Sequence, residues 1–325
     1  MAAIPLRAEQ AFNKDRNSTS LQRTTPAEGP GAAFANPAAL GETHWAYAGY
    51  GSAAFISGKG KVNALQMAVA TPPEALPWLP LGIALGFGHF GNASSIDGNN
   101  AIYLEEDYTP GLALYFPAGA ARPFRFSVAV AGTFSTYNAF GALRTKTLGL
   151  DAGTQAIFPT PFGRLRLGYT YHHLNAPRVY LPDEGLRGFY EIKHWTEHSL
   201  GWTSPAARLK THLELFINAE HDPVEGPSTE DRFGVHGWGV EARPRPWFGI
   251  QAERNRIGSL STVGAVFYPP IPLVHLQSWL SFGIGHERFN PAAALPDWKI
   301  SKVVFGEAED DGRGFLFDFA LGAGI

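Results

Sequence analysis

The chain has 325 residues and a formal net charge of −3; it is 45% hydrophobic, 13% aromatic and only 17% charged. That balance supplies no basic face for nucleic acid and no field that would draw an acidic substrate. With no cysteine there is neither a disulfide framework nor a cysteine-based zinc site, and no run approaches the roughly 18 apolar residues of a membrane helix.

The first 42 residues read as a polar arm. It opens on "MAAIPLRAEQ", without the charged and apolar regions of a secretory signal, and closes on "FANPAAL", Phe34 to Leu40. An Asn-Pro-Ala between small residues makes neither a good helix nor a good strand. Pro37 fixes φ and cannot donate to a ladder, whereas Ala35, Ala38 and Ala39 are small enough for a crowded interior.

From about residue 43 the pattern has a period of two, the mark of strands with one apolar face. In 79–88, Leu81, Ile83, Leu85 and Phe87 alternate with Gly82, Ala84, Gly86 and Gly88; in 124–135, Phe126, Val128, Val130 and Phe134 alternate with Arg125, Ser127, Ala129 and Ser135. The alternation predicts about fourteen strands, near 43–56, 61–70, 79–90, 102–116, 123–135, 143–158, 163–173, 188–202, 207–218, 232–242, 247–255, 260–268, 273–287 and 313–325. Most connections after the even-numbered strands are short and contain proline ("TPPEALP", "PTPFG", "YPPIP"). Several on the other end are long and polar ("GNASSIDGNNA", "EHDPVEGPSTEDR", and 288–312). That asymmetry predicts an up-and-down transmembrane barrel, closed because a bilayer cannot satisfy an open sheet edge. Tyr190 and Trp202, twelve residues apart on one predicted strand, would span about 30 Å, one hydrocarbon core.

Little here suggests an enzyme. "HWTEH", His194 to His198, matches an inverted zinc-protease motif, but that chemistry needs a helix. On a strand the two histidines stand about 13 Å apart and cannot share a metal. His172 and His173 fall at a strand end, where a solvated rim is expected. No nucleotide fingerprint or nucleophile elbow is present, so neither a cofactor nor a metal is expected. The inward faces are predicted to be polar and small: Asp151 and Gln155 with Gly149 and Gly153, Arg164 and Arg166 with Gly168 and Thr170, and Lys210, His212 and Glu214. Such a lining suits an inserted segment or a polar passage better than a greasy tunnel.

"AAFANPAAL" before a first strand resembles the N-terminal signature of the FadL/PorV superfamily of outer-membrane β-barrels. "LGLDAGTQAIFPTPFGRLRLGYTYHHLNAP", 148–177, is similar to a PorV/PorQ-type strand pair. The resemblance implies a bacterial outer-membrane location, with both barrel termini periplasmic and the signal peptide removed. It divides the chain into an arm and hatch, 1–42, and a fourteen-stranded barrel, 43–325, with Asn36, Pro37 and Ala38 as the hatch motif near the periplasmic mouth. The superfamily has two functional branches. PorV/PorQ-like members serve type IX secretion, and the chain length and polar lining favour that branch. Its partners would be other outer-membrane or secreted proteins, docked on loop residues Val179, Tyr180, Leu181, Leu295 and Trp298 with Asp183 on the rim. The alternative is a FadL-like transporter of a hydrophobic ligand such as a long-chain fatty acid, working by hatch change and lateral exit. Either branch sits in outer-membrane lipid.

Overall fold

The computed structural model describes residues 36–43, 46–55, 60–71, 81–96, 101–117, 124–139, 143–175, 178–181, 188–191, 195–204, 212–222, 232–245, 247–255, 261–267, 270–271, 276–289 and 312–324. A short 3₁₀ helix, Pro37–Glu42, comes first. The strands follow: β1 Ala46–Phe55, β2 Gly60–Ala70, β3 Gly82–Ile96, β4 Ala101–Phe116, β5 Arg125–Ala139, β6 Leu143–Thr160, β7 Gly163–His172, β8 Arg178–Leu181, β9 Gly188–Glu191, β10 Trp195–Thr203, β11 His212–Asp222, β12 Arg232–Arg245, β13 Phe248–Asn255, β14 Ser261–Phe267, β15 Pro270–Ile271, β16 Leu276–Phe289 and β17 Gly312–Gly324.

β8 and β9 pair only with each other, and β15 is a two-residue spur on β16. Setting these aside leaves fourteen strands, the number read from the alternation, each antiparallel to its neighbours. β7 pairs with β10 across the hairpin, β1 pairs with β17, and β14 pairs with β16, so the ladder runs round the whole set. Each of these fourteen strands thereby has two partners, as backbone in a bilayer requires.

The two faces of this wall differ in chemistry. Outward side chains are apolar and exposed: Val69, Leu85, Leu112 and Val130 stand opposite one another across β2 to β5. Inward side chains are small or polar and buried, among them Ala84, Ala113, Asp107, Ser127, Asp151, Gln155, Arg166 and Thr170. An apolar exterior around a polar interior is the reverse of a soluble core and suits lipid outside. Aromatic rings collect at both margins of the apolar face. At the short-connection end lie the pairs Phe116–Phe126, Phe124–Phe158 and Phe248–Phe267; toward the other end lie His89–Tyr108 and Tyr169–His198. Along β4, Tyr108 to Phe116 covers about 20 Å of height at a 40° tilt, close to the apolar band of such barrels. This also accounts for His198, which faces outward within an aromatic margin.

Three expectations need correcting. The predicted strand 188–202 is two elements: Tyr190 lies on β9, paired with Val179, and Trp202 on β10, so they do not span one strand. "GNASSIDGNNA" is mostly ladder, since β3 runs to Ile96 and pairs it with Ala101 of β4. Polar composition was misleading there, because backbone pairing continues past the apolar band. Val179, Tyr180 and Leu181, expected in a loop, form β8. Elsewhere proline acts as expected. The β4–β5 register skips Thr109 and Pro110, and the Thr109 and Thr133 hydroxyls meet at 3.1 Å across the gap.

Candidate functional site

Asn36 to Thr43 lies inside the ring of strands. Asn36 caps the 3₁₀ helix: its Oδ1 accepts from Ala38 N at 3.0 Å, and Pro37 fills the first helical position, where no N–H is needed. Asn36 Nδ2 donates to the Thr154 carbonyl of β6 at 3.1 Å. The motif residue therefore closes the turn and fastens it to the wall. Thr154 is six residues from the end of β6, so Asn36 reaches roughly 15 Å in from the short-connection end, deeper than the mouth position expected.

The wall is built to receive this turn. Ala38, Ala39 and Leu40 are wholly buried against Ala68, Ala70, Ala84, Ala113 and Ala129, contributed by β2 to β5. Side chains this small let backbone approach backbone. Gly153 and Gly168 take the principle furthest. A Cβ at Gly153 would lie 2.2 Å from Asn36 Oδ1, and one at Gly168 would lie 2.9 Å from Asn36 Nδ2.

At the other end of the turn the contacts become ionic. Glu42 Oε2 accepts from Arg166 Nε and Nη2, both at 3.2 Å, and Glu42 Oε1 accepts from Gln155 Nε2 at 3.0 Å. Arg166 is fully buried, and its Nη1 donates to Thr203 Oγ1 of β10 at 2.9 Å. Ser127 Oγ donates to the Ala38 carbonyl at 2.8 Å, and Arg125, stacked 4.6 Å over the Tyr115 ring, donates to the Gly41 carbonyl.

A second charged cluster sits where β7 ends. His172 and His173, expected on a solvated rim, are 1% and 3% exposed. His172 Nδ1 lies 3.1 Å from Asp151 Oδ2, and its Nε2 3.8 Å from Glu197 Oε2. His173 turns the chain out of the strand with φ of 59° and donates its backbone N–H to Asp151 Oδ1 at 2.9 Å. Beyond it, Leu174 N donates to the Leu150 carbonyl, while the Asn175 side chain bonds Leu150 N and the Leu148 carbonyl. Asn175 thus stands in for strand pairing that β7 no longer supplies.

The structure brings Asn36, Pro37, Ala38, Gln155 and Arg166 together and sets Asp151 in the second cluster. Arg164 shares the inward parity of Arg166 but is exposed near the strand's start. His212 and Glu214 lie on β11, Glu214 opposite Thr203; Lys210, Asp183, Leu295 and Trp298 fall outside the described residues. Sequence reasoning missed Glu42, Thr203, His172 and Glu197 as partners. The inward parity of Thr203 and Glu197 was legible, but which strands adjoin across the 173–194 interval was not.

The described strands form a fourteen-stranded antiparallel barrel with the N-terminal Asn-Pro-Ala turn seated inside it. This fold is similar to that of FadL-type outer-membrane proteins of known structure. The chain aligns with a Pseudomonas aeruginosa FadL homologue over 96% of both chains (TM-score 0.52, 12% identity). It aligns with the Ralstonia pickettii toluene transporter TbuX over 91% of this chain and 93% of that one (TM-score 0.54, 10% identity). With the Pseudomonas putida toluene transporter TodX it aligns over 96% of both (TM-score 0.52, 9% identity). No protein-family model and no curated protein matches the chain.

Proposed function

We propose that this protein is a bacterial outer-membrane channel for small hydrophobic molecules, with residues 36–43 as a seated plug and the short-connection end facing the periplasm. The observation that carries this reading is the alanine-lined recess filled by Pro37 to Leu40. The described inner wall is polar around Asp107, Asp151 and Glu197 and where Glu42 meets Gln155 and Arg166, but apolar under Ala38 to Leu40. Withdrawing the turn would uncover Ala68, Ala84, Ala113 and Ala129, a surface suited to an apolar solute. The overly polar tunnel expected from strands β6, β7 and β11 left out this face on β2 to β5. Two of the structural neighbours are toluene transporters, which agrees in substrate class, and none of the three neighbours named is a secretion component, so the secretion-docking reading has no comparable support.

The test is uptake of radiolabelled toluene and of a long-chain fatty acid by cells carrying the protein in the outer membrane. At least one should enter severalfold faster than in cells without it, with no gain for a sugar of similar size. Uptake of both no faster than in cells without the protein, or faster sugar entry alone, would overturn the reading.

A further inference from the structure

Resting on the reading of residues 36–43 as a plug, we propose that the Glu42–Arg166 pair is the latch that keeps the plug seated. The rest of the turn is held through alanine methyls and backbone groups alone: one amide bond to the Thr154 carbonyl, a hydroxyl bond from Ser127 and the Arg125 bond to the Gly41 carbonyl. Glu42 is different. It carries a charge to the inner wall and meets the wholly buried Arg166 through two nitrogens, with Gln155 on its other oxygen. Arg166 is itself oriented by Thr203 of β10. One carboxylate on the mobile segment is thus tied to β6, β7 and, through Arg166, β10.

The asymmetry of the pair makes it a latch. Arg166 belongs to a strand paired on both sides, so it stays where it is when the plug moves. If Glu42 leaves, the guanidinium keeps Thr203 but loses its carboxylate, and removing either partner while the plug stays seated leaves one charge buried and unpaired, the expensive way to break such a pair. Removing both charges is far less costly than removing one. Arg166 acts here as a positioning residue and contacts no transported molecule.

Because the chain has no cysteine, Ser127→Cys gives a single thiol at a wall position covered by the Ala38 carbonyl. The experiment measures its labelling by a small hydrophilic thiol reagent in the full-length, detergent-folded barrel. Comparison is made between the S127C background and its combinations with E42Q, R166M and E42Q/R166M, with heat-modifiable gel mobility confirming a folded barrel. Each single change should raise the labelling rate on the order of a hundredfold, and the double change should bring it back to within about tenfold of the background. Unchanged labelling in both single variants overturns the latch, as does a double variant whose rate is the product of the single effects. The outcome is separable from the transport reading. Labelling that rises as stated while toluene and fatty-acid uptake stay at background keeps the latch and removes the transporter, whereas uptake with unchanged labelling does the reverse.

Discussion

The two buried charge clusters are built from similar groups yet hold different things. Glu42, Gln155, Arg166 and Thr203 join the plug to the wall; Asp151, His172 and Glu197 join three neighbouring strands, β6, β7 and β10, to one another. The first ties a six-residue helix to the wall and takes no part in any ladder, so releasing it leaves the strand pairing intact. Releasing the second loosens the place where β7 stops, His173 turns left-handed and the Asn175 amide replaces strand pairing. In a bilayer backbone groups must be satisfied internally, so the second cluster is a fixed joint and the first can serve as a movable one.

The comparison is open to breakage at each cluster. Asp151→Ala leaves His172 and the His173 N–H without their shared acceptor and should destabilise the barrel by about 3–5 kcal/mol. The gel transition from folded to unfolded mobility would move to lower temperature, while a thiol at position 127 stays as protected as before. Rapid labelling of that thiol in D151A would show that the clusters are not independent. A smaller change is expected from Asn175→Ala, which removes two side-chain bonds to the β6 backbone at about 1 kcal/mol or a little more each. The same melting and labelling measurements apply, and a loss larger than that of D151A would mean that the joint lies in the asparagine instead of the carboxylate.

Much of this is legible in the sequence. Alternation located fourteen strands because outward leucines, valines and phenylalanines repeat every second residue, and it placed Gly153, Gln155, Arg166 and Thr170 on one face. The Asn-Pro-Ala segment announced itself by fitting no regular element. Legibility failed where a residue's role depends on what lies across the barrel. Glu42 is one acidic residue in a polar arm until Arg166, more than a hundred positions away, comes beside it. His172 and His173 looked like rim residues because a strand end suggests solvent; Asp151 and the chain's turn toward β6 bury them. β9 reads as one strand with β10 because period two runs on from one into the other, and only the pairing partner, β8, tells them apart.

The claim that the plug must move for a solute to pass can be tested with one disulfide. A Cβ at Gly86 would lie 3.2 Å from Leu40 Cγ, the place a cysteine sulfur at 40 would take, and this separation suits an S–S bond with its sulfur about 2 Å further on. In the otherwise cysteine-free chain, Leu40→Cys with Gly86→Cys should give one bond that fixes the plug to β3. The account predicts that toluene or fatty-acid uptake falls to the background of cells lacking the protein when the pair is oxidised, and returns on reduction. Equal uptake by the oxidised and reduced forms would contradict it.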